Sequence, residues 1–122
     1  MQLKVLPHRF SVCKVCDAAC AYLNAPFCFF AKTDEELSLV CPTDYAPPQT
    51  LAREDGWRAF RIEGVLDFSL IGILAKISDI LARQEIGIFA VSTYNTDYVL
   101  LKEENLQKAL QALKTGGYSI SE

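Results

Sequence analysis

The order of elements between Trp57 and Glu122 constrains this chain most. Read by the period of its apolar residues, that stretch runs strand, helix, strand, strand, helix, strand. Trp57 to Glu63 alternates imperfectly, as a strand with one better-buried face does, and Gly64 ends it. From Phe68 to Gln84, Leu70, Ile73, Leu74, Ile77, Ile80 and Leu81 recur every three or four residues, which lays one apolar stripe along a helix. Asp67 or Ser69 is placed to cap it, and Gly72 sits one turn in. Ile86 to Val91 and Tyr98 to Leu101 are nearly continuous apolar runs, expected as strands with little water on either face. Glu103 to Lys114 puts Leu106, Ala109, Leu110 and Leu113 on one helical side, with Gly116-Gly117 beyond it, and Tyr118 to Ile120 supplies a last strand.

A helix joining two parallel strands, with a third strand inserted antiparallel between them, is the split arrangement of a ferredoxin-like βαββαβ sheet, so the fold class is α+β. In that topology the first two strands finish at the edge where the inserted strand begins. Gly64 to Asp67, Ser92-Thr93 and Asn95 to Asp97 therefore meet. The unpaired amides at the start of the helix favour an anion there, and Gly72 leaves room for close approach. Asp97 opposite suits a cation, so this edge complements a zwitterionic amino acid. The plainer alternative is a capping Asp67, a solvated turn from Ser92 to Asp97, and a Gly72 that packs against a neighbouring strand.

The first half of the chain reads as strands at Leu3 to Leu6 and Phe10 to Val15 around a bend at Pro7-His8-Arg9. A short helical turn follows within Asp17 to Leu23. Phe27 to Lys32 and Leu37 to Cys41 form a hairpin across Thr33-Asp34-Glu35-Glu36. Pro42 to Asp55 carries three prolines and no period, as in a linker or a short irregular helix between two lobes, and the lobes divide near Ala52.

With 122 residues, 51% of them hydrophobic and 22% charged, the chain can bury a core without staples. A net charge of −3 and the lack of a clustered basic face argue against nucleic acid. No apolar run reaches the roughly 20 residues that cross a bilayer, so no membrane partner is expected and the cytoplasm is the expected location. The five cysteines lie mostly among apolar residues, which suits reduced core thiols. Cys13-Lys14-Val15-Cys16 has a metal-pair or redox spacing, but a strand there sends Cys13 and Cys16 to opposite faces, and only His8 offers a further ligand. No metal, cofactor or catalytic residue is expected, because no nucleotide-binding or nucleophile motif occurs and nothing near His8 nominates a substrate proton.

Two segments carry a family resemblance: Gly64-Val65-Leu66-Asp67-Phe68-Ser69 and the run from Ile88 through Ser92-Thr93-Tyr94-Asn95-Thr96-Asp97 to Leu100. On these the chain resembles the ACT domain family of amino-acid-sensing modules. It is similar to the small tandem-ACT proteins related to the cytosolic arginine sensor of animals, whose N-terminal half looks like Leu6-Pro7-His8-Arg9-Phe10 and Phe29 to Cys41. The resemblance implies a shorter N-terminal ACT-like half at 1–52 and an intact ACT domain at 53–122. It also implies a non-catalytic role in which a small effector sits between paired units. By motif position Asp97 holds a cationic group, Thr93 hydrogen-bonds the ligand, and Gly64 and Ile73 line the cleft.

The edge strand Ile86 to Val91 invites cover by a second copy, which would set Gly87 and Ile88 of one chain near the polar island of the other. A homo-oligomer, dimer or higher, is therefore expected. The functional alternative is a protein–protein assembly module with no small-molecule ligand. A third class, a thiol redox protein, would depend on Cys13 and Cys16.

Overall fold

A computed structural model describes residues 1–64 and 71–122. The strands are β1 (Gln2–Val5), β2 (Phe10–Val15), β3 (Phe29–Lys32), β4 (Leu37–Pro42), β5 (Ala52–Ile62), β6 (Ile88–Ser92), β7 (Asp97–Lys102) and β8 (Ser119–Ser121), and the helices are α1 (Ile73–Arg83) and α2 (Leu106–Thr115). Contacts gather into two compact units, Met1–Pro7 with Arg58–Glu122 and His8–Trp57, and β5 runs from one into the other.

In the larger unit β7 lies between β6 and β5, the inserted-strand arrangement expected from the element order. β6 and β7 are antiparallel, with Ser92 opposite Asp97. The amino-terminal strand adds what the element order did not anticipate. β1 lies between β5 and β8, antiparallel to the first, where Leu3 faces Ile62, and parallel to the second, where Leu3 faces Ile120.

Both helices bury the stripe that their spacing dictates. Ile77 and Leu81 of α1 are fully buried with Ile73, Leu74 and Ile80 packed alongside, and Leu106, Ala109, Leu110 and Leu113 of α2 join the same core. Phe60 and Ile62 of β5 and Val99 and Leu101 of β7 complete it from the sheet. Each fully buried Leu, Ile or Phe contributes about 2 kcal/mol relative to exposure, so this core dominates the unit's stability.

The two helices stop in the same way. After α2 the Tyr118 amide donates to the Leu113 carbonyl and the Gly117 amide to the Lys114 carbonyl, with Gly117 at φ +99°. After α1 the Ile86 amide donates to Leu81 and the Glu85 amide to Ala82, and here a non-glycine residue, Glu85, takes φ +60°. Both are paired 6→1 and 5→2 endings that satisfy the last carbonyls.

Three sequence expectations are corrected. Helix α1 starts at Ile73, and Gly72 is its N-cap at φ +80°, so the glycine begins the helix and does not interrupt it. A residue without Cβ reaches that backbone region at no steric cost, and a helix cannot continue back through it. The caps expected at Asp67 and Ser69, and Leu70 of the stripe, lie outside the described residues.

Second, no residue of β6 is fully buried, and Ala90 and Ser92 are exposed. Among the described residues β6 pairs only with β7, so as an edge strand it lacks the two-sided cover a continuous apolar run suggests.

Third, the segment from Pro42, expected as a linker or a short irregular helix, holds the short helix and is no loose linker. Thr43–Tyr45 forms a 3₁₀ turn, and 52–55 already belong to β5. The Thr43 amide donates to Arg9, the Leu51 amide to Lys14, and the buried Ser11 hydroxyl joins Thr43 to Asp55.

The smaller unit pairs β3 with β4, β4 with β2, and β2 with the first part of β5. Its core holds Cys13, Val15, Leu39 and Cys41, with Cys20 and Cys28 against it, and all five thiols are free. Cys16 is exposed while Cys13 is buried, as the strand alternation requires.

Candidate functional site

Hydrogen bonds gather several segments at one end of the larger unit's sheet. The β6–β7 connection is a tight turn in which the Thr93 amide donates to the Thr96 carbonyl at 2.8 Å and the Thr93 hydroxyl donates to the same oxygen at 3.0 Å. Thr96 is buried, and its hydroxyl donates to the Ile62 carbonyl at 2.7 Å. That bond pins the polar island to the last residue of β5, two residues before Gly64. At the same end the Glu63 amide donates to Gln2 and the Ser119 amide to Met1, which sets the starts of β1 and β8 beside the finish of β5.

Helix α1 begins at this end too. A pocket of about 270 Å³ is lined by Ile71, Gly72, Ile73 and Lys76 of the helix start, and by Met1, Gly116, Gly117 and Tyr118. Gly72 offers no side chain to cap the first turn, and among the described residues no side chain caps it, so the first-turn amides are available at the helix start. Lys76, one turn on and exposed, adds a full positive charge to the partial one of the helix dipole. The pocket is suited to a small anionic group.

Asp97 is the first residue of β7 and only partly buried. Side chains alternate along a strand, so it shares a face with Val99 and Leu101, which pack into the core against α1. Carboxylate and helix start therefore occupy the same end and the same face of the sheet. β5 lies between β7 and β1, so two strand spacings, about 10 Å, separate the strand of Asp97 from the strand that follows Met1 of the pocket.

On the opposite face Arg61 donates to the Tyr98 hydroxyl at 3.5 Å and to Glu63 Oε1 at 3.4 Å. The Tyr98 hydroxyl and, after it, the nearby acid hold the Arg61 guanidinium further toward its charged form.

The residues singled out from the sequence fall into three groups. Gly64, at φ +95°, and Thr93, Asn95 and Asp97 lie around the turn and the end of β5, and Gly72 and Ile73 line the pocket at the same end. Ile88 begins β6, four residues or about 13 Å from Ser92, and Gly87 precedes it, so within one chain they stand apart from the turn. Asp67 lies outside the described residues.

Thr93 uses its hydroxyl within the turn, as both donor to and acceptor from Thr96. Sequence reasoning missed Thr96 and Lys76. A threonine closing a polar island just before an apolar strand was the signal for the first, and a lysine one turn after a glycine helix start was the signal for the second.

Three thiols of the smaller unit, Cys13, Cys28 and Cys41, are poorly suited to redox work. Burial, followed by the neighbouring thiols of Cys13 and Cys28, pushes Cys41 up to about 11, and burial raises Cys13 and Cys28 as well. A thiol held protonated is a weak nucleophile.

Comparison with known proteins places these features in context. The family model for the ACT domain matches residues 52–115. The human cytosolic arginine sensor for mTORC1, subunit 1, is 36% identical over 59 residues, which are 48% of this chain and 18% of the sensor. The chain thus spans well under two thirds of that relative's length. A crystal structure of a protein from Agrobacterium tumefaciens superposes with a TM-score of 0.87 at 30% identity, covering 98% of this chain and 91% of that one. The aspartate kinase of Clostridium acetobutylicum shares the fold, with a TM-score of 0.65 at 15% identity over 93% of this chain and 33% of the kinase.

Proposed function

Because the chain belongs to the ACT domain family, we propose that it is a non-catalytic regulatory protein that senses a small amino acid. The effector's carboxylate sits at the start of α1, against the first-turn amides and Lys76, and its cationic group sits at Asp97. One observation carries this reading: the buried Thr96–Ile62 hydrogen bond ties the Asp97 turn to the sheet end at which the α1 pocket opens.

Asp97 stands on β7 and the pocket beside β1, with β5 between them, and this separation favours an effector with a second charge at the end of its side chain. The arginine sensor among its relatives binds, by its name, an effector of that kind. Gly87 and Ile88 enter the site from a second copy across the β6 edge, which makes assembly part of sensing. Binding then shifts an assembly or conformational equilibrium by its differential affinity for the two states.

The rival reading, an assembly module without a small-molecule ligand, draws on the exposure of β6 alone. Titration calorimetry against each of the twenty amino acids separates the two. Saturable heat with a charged amino acid is the expected result, and folded protein that releases no heat with any of them overturns the sensing reading.

A further inference from the structure

We propose that the smaller unit carries a second pocket, for a small organic cation with an apolar body, of the alkylammonium or alkylguanidinium class. The pocket measures about 570 Å³ and lies between the 3₁₀ turn Ala18–Cys20 and the segment from Asp44 to Pro48. Its volume falls within the roughly 300–1,000 Å³ typical of small-molecule sites.

Two aromatic rings dominate its wall. Tyr22 and Tyr45 are stacked with centroids 5.6 Å apart and planes 15° from parallel. Yet Tyr22 remains 53% exposed and Tyr45 38%, so the stack satisfies one side of the pair and leaves the rest to solvent. Pro48, exposed, extends that apolar surface at low conformational freedom, and the buried Pro47 lines the pocket as well. A body with apolar area to bury gains from covering it.

Charge selects what that body must carry. Asp17 and Asp44 line the pocket, and no Lys, Arg or His is among its lining residues. Asp17 Oδ1 accepts the Ala19 amide at 2.9 Å, which fixes the carboxylate at the pocket's edge and leaves its second oxygen directed elsewhere. An anion entering here meets two carboxylates beside two stacked, partly exposed rings. A cation is attracted by the carboxylates, and by either ring whose outer face it covers, since the ring quadrupole favours positive charge there. A neutral aromatic gains the burial but not the charge terms. The aromatic wall and the acidic lining, two separate features, therefore select the same chemistry. The pocket shares no residue with the site at α1 and Asp97.

The test uses benzyltrimethylammonium chloride as the cation and benzyl alcohol as its neutral counterpart, followed by the ring resonances of Tyr22 and Tyr45. Saturable shifts of both rings with the cation are expected. Benzyl alcohol and the Asp44→Asn variant should each bind about tenfold more weakly or worse, the size of one charge contact combined with ring attraction. Raised salt should weaken the cation alone. Tyr22→Leu, at an exposed position, supplies a second variant with the same expected loss should Asp44→Asn disturb the turn. Equal affinity for the alcohol, an undiminished affinity in a folded Asp44→Asn protein, or shifts that rise linearly without saturation would each overturn the proposal.

Discussion

Glu85 holds φ +60°, a backbone region that costs a residue with a Cβ about 1 kcal/mol or more, because the chain must reverse after α1 with Ile86 re-entering the core. Replacing it with glycine keeps both terminal hydrogen bonds and removes the strain, so Glu85→Gly is expected to raise stability by about 1 kcal/mol in urea denaturation. Gly117→Ala is the mirror case. Nothing lies within 4 Å of the added Cβ, so the loss expected at φ +99°, about 1–2 kcal/mol, is purely conformational.

The cysteines set a pH dependence. Cys41 titrates near 9.0 when unfolded and at about 11 when folded, so the native state keeps its proton longer. Its contribution is full below pH 9 and is lost as pH rises through 11, and the raised thiols of Cys13 and Cys28 act in the same direction. Denaturation midpoints measured between pH 8 and 11 should fall over that window. A flat profile would contradict the burial of these thiols.

At the scale of elements, the helical stripes were legible because a period of 3.6 is a local property, and Ile77, Leu81, Leu106, Ala109, Leu110 and Leu113 are buried as their spacing requires. The position of β1 was not legible. Pairing Gln2 with Ser119 joins opposite ends of the chain, and no local pattern encodes which of two partners a strand selects. Gly72 misled for a related reason: propensity treats glycine as a weak helix residue, whereas its positive φ makes it the helix's start.

The candidate site was half legible. The polar island and Asp97 stood out by composition, but Thr96 read as solvated, and its buried bond to Ile62 depends on strand order. Thr96→Val removes that donor and leaves a buried carbonyl without it, which should cost about 1–3 kcal/mol. If the turn also orients Asp97, the same variant lowers effector affinity while Thr96→Ser, which keeps the hydroxyl, restores it. Calorimetry on both variants checks this.

At the scale of the whole molecule, the proposed sensing role requires two features that one chain keeps apart: a charged sheet end, and an exposed edge strand that Gly87 precedes and Ile88 begins. Sedimentation of Ala90→Lys, a charge placed on the exposed β6, is expected to show a shift toward monomer and a matching loss of effector affinity. Asp97→Ala should leave the fold and the assembly intact but weaken binding about tenfold or more, as loss of a charge-assisted contact does.

Mapping backbone amide shifts in the isotopically labelled protein, during titration with the amino acid that calorimetry selects, tests the central claim most directly. Saturable shifts should concentrate at Gly72 to Lys76 and at Thr93 to Asp97 together, two segments distant in sequence that meet at one end of the sheet. Shifts confined to His8–Trp57, or to only one of those two segments, would contradict it.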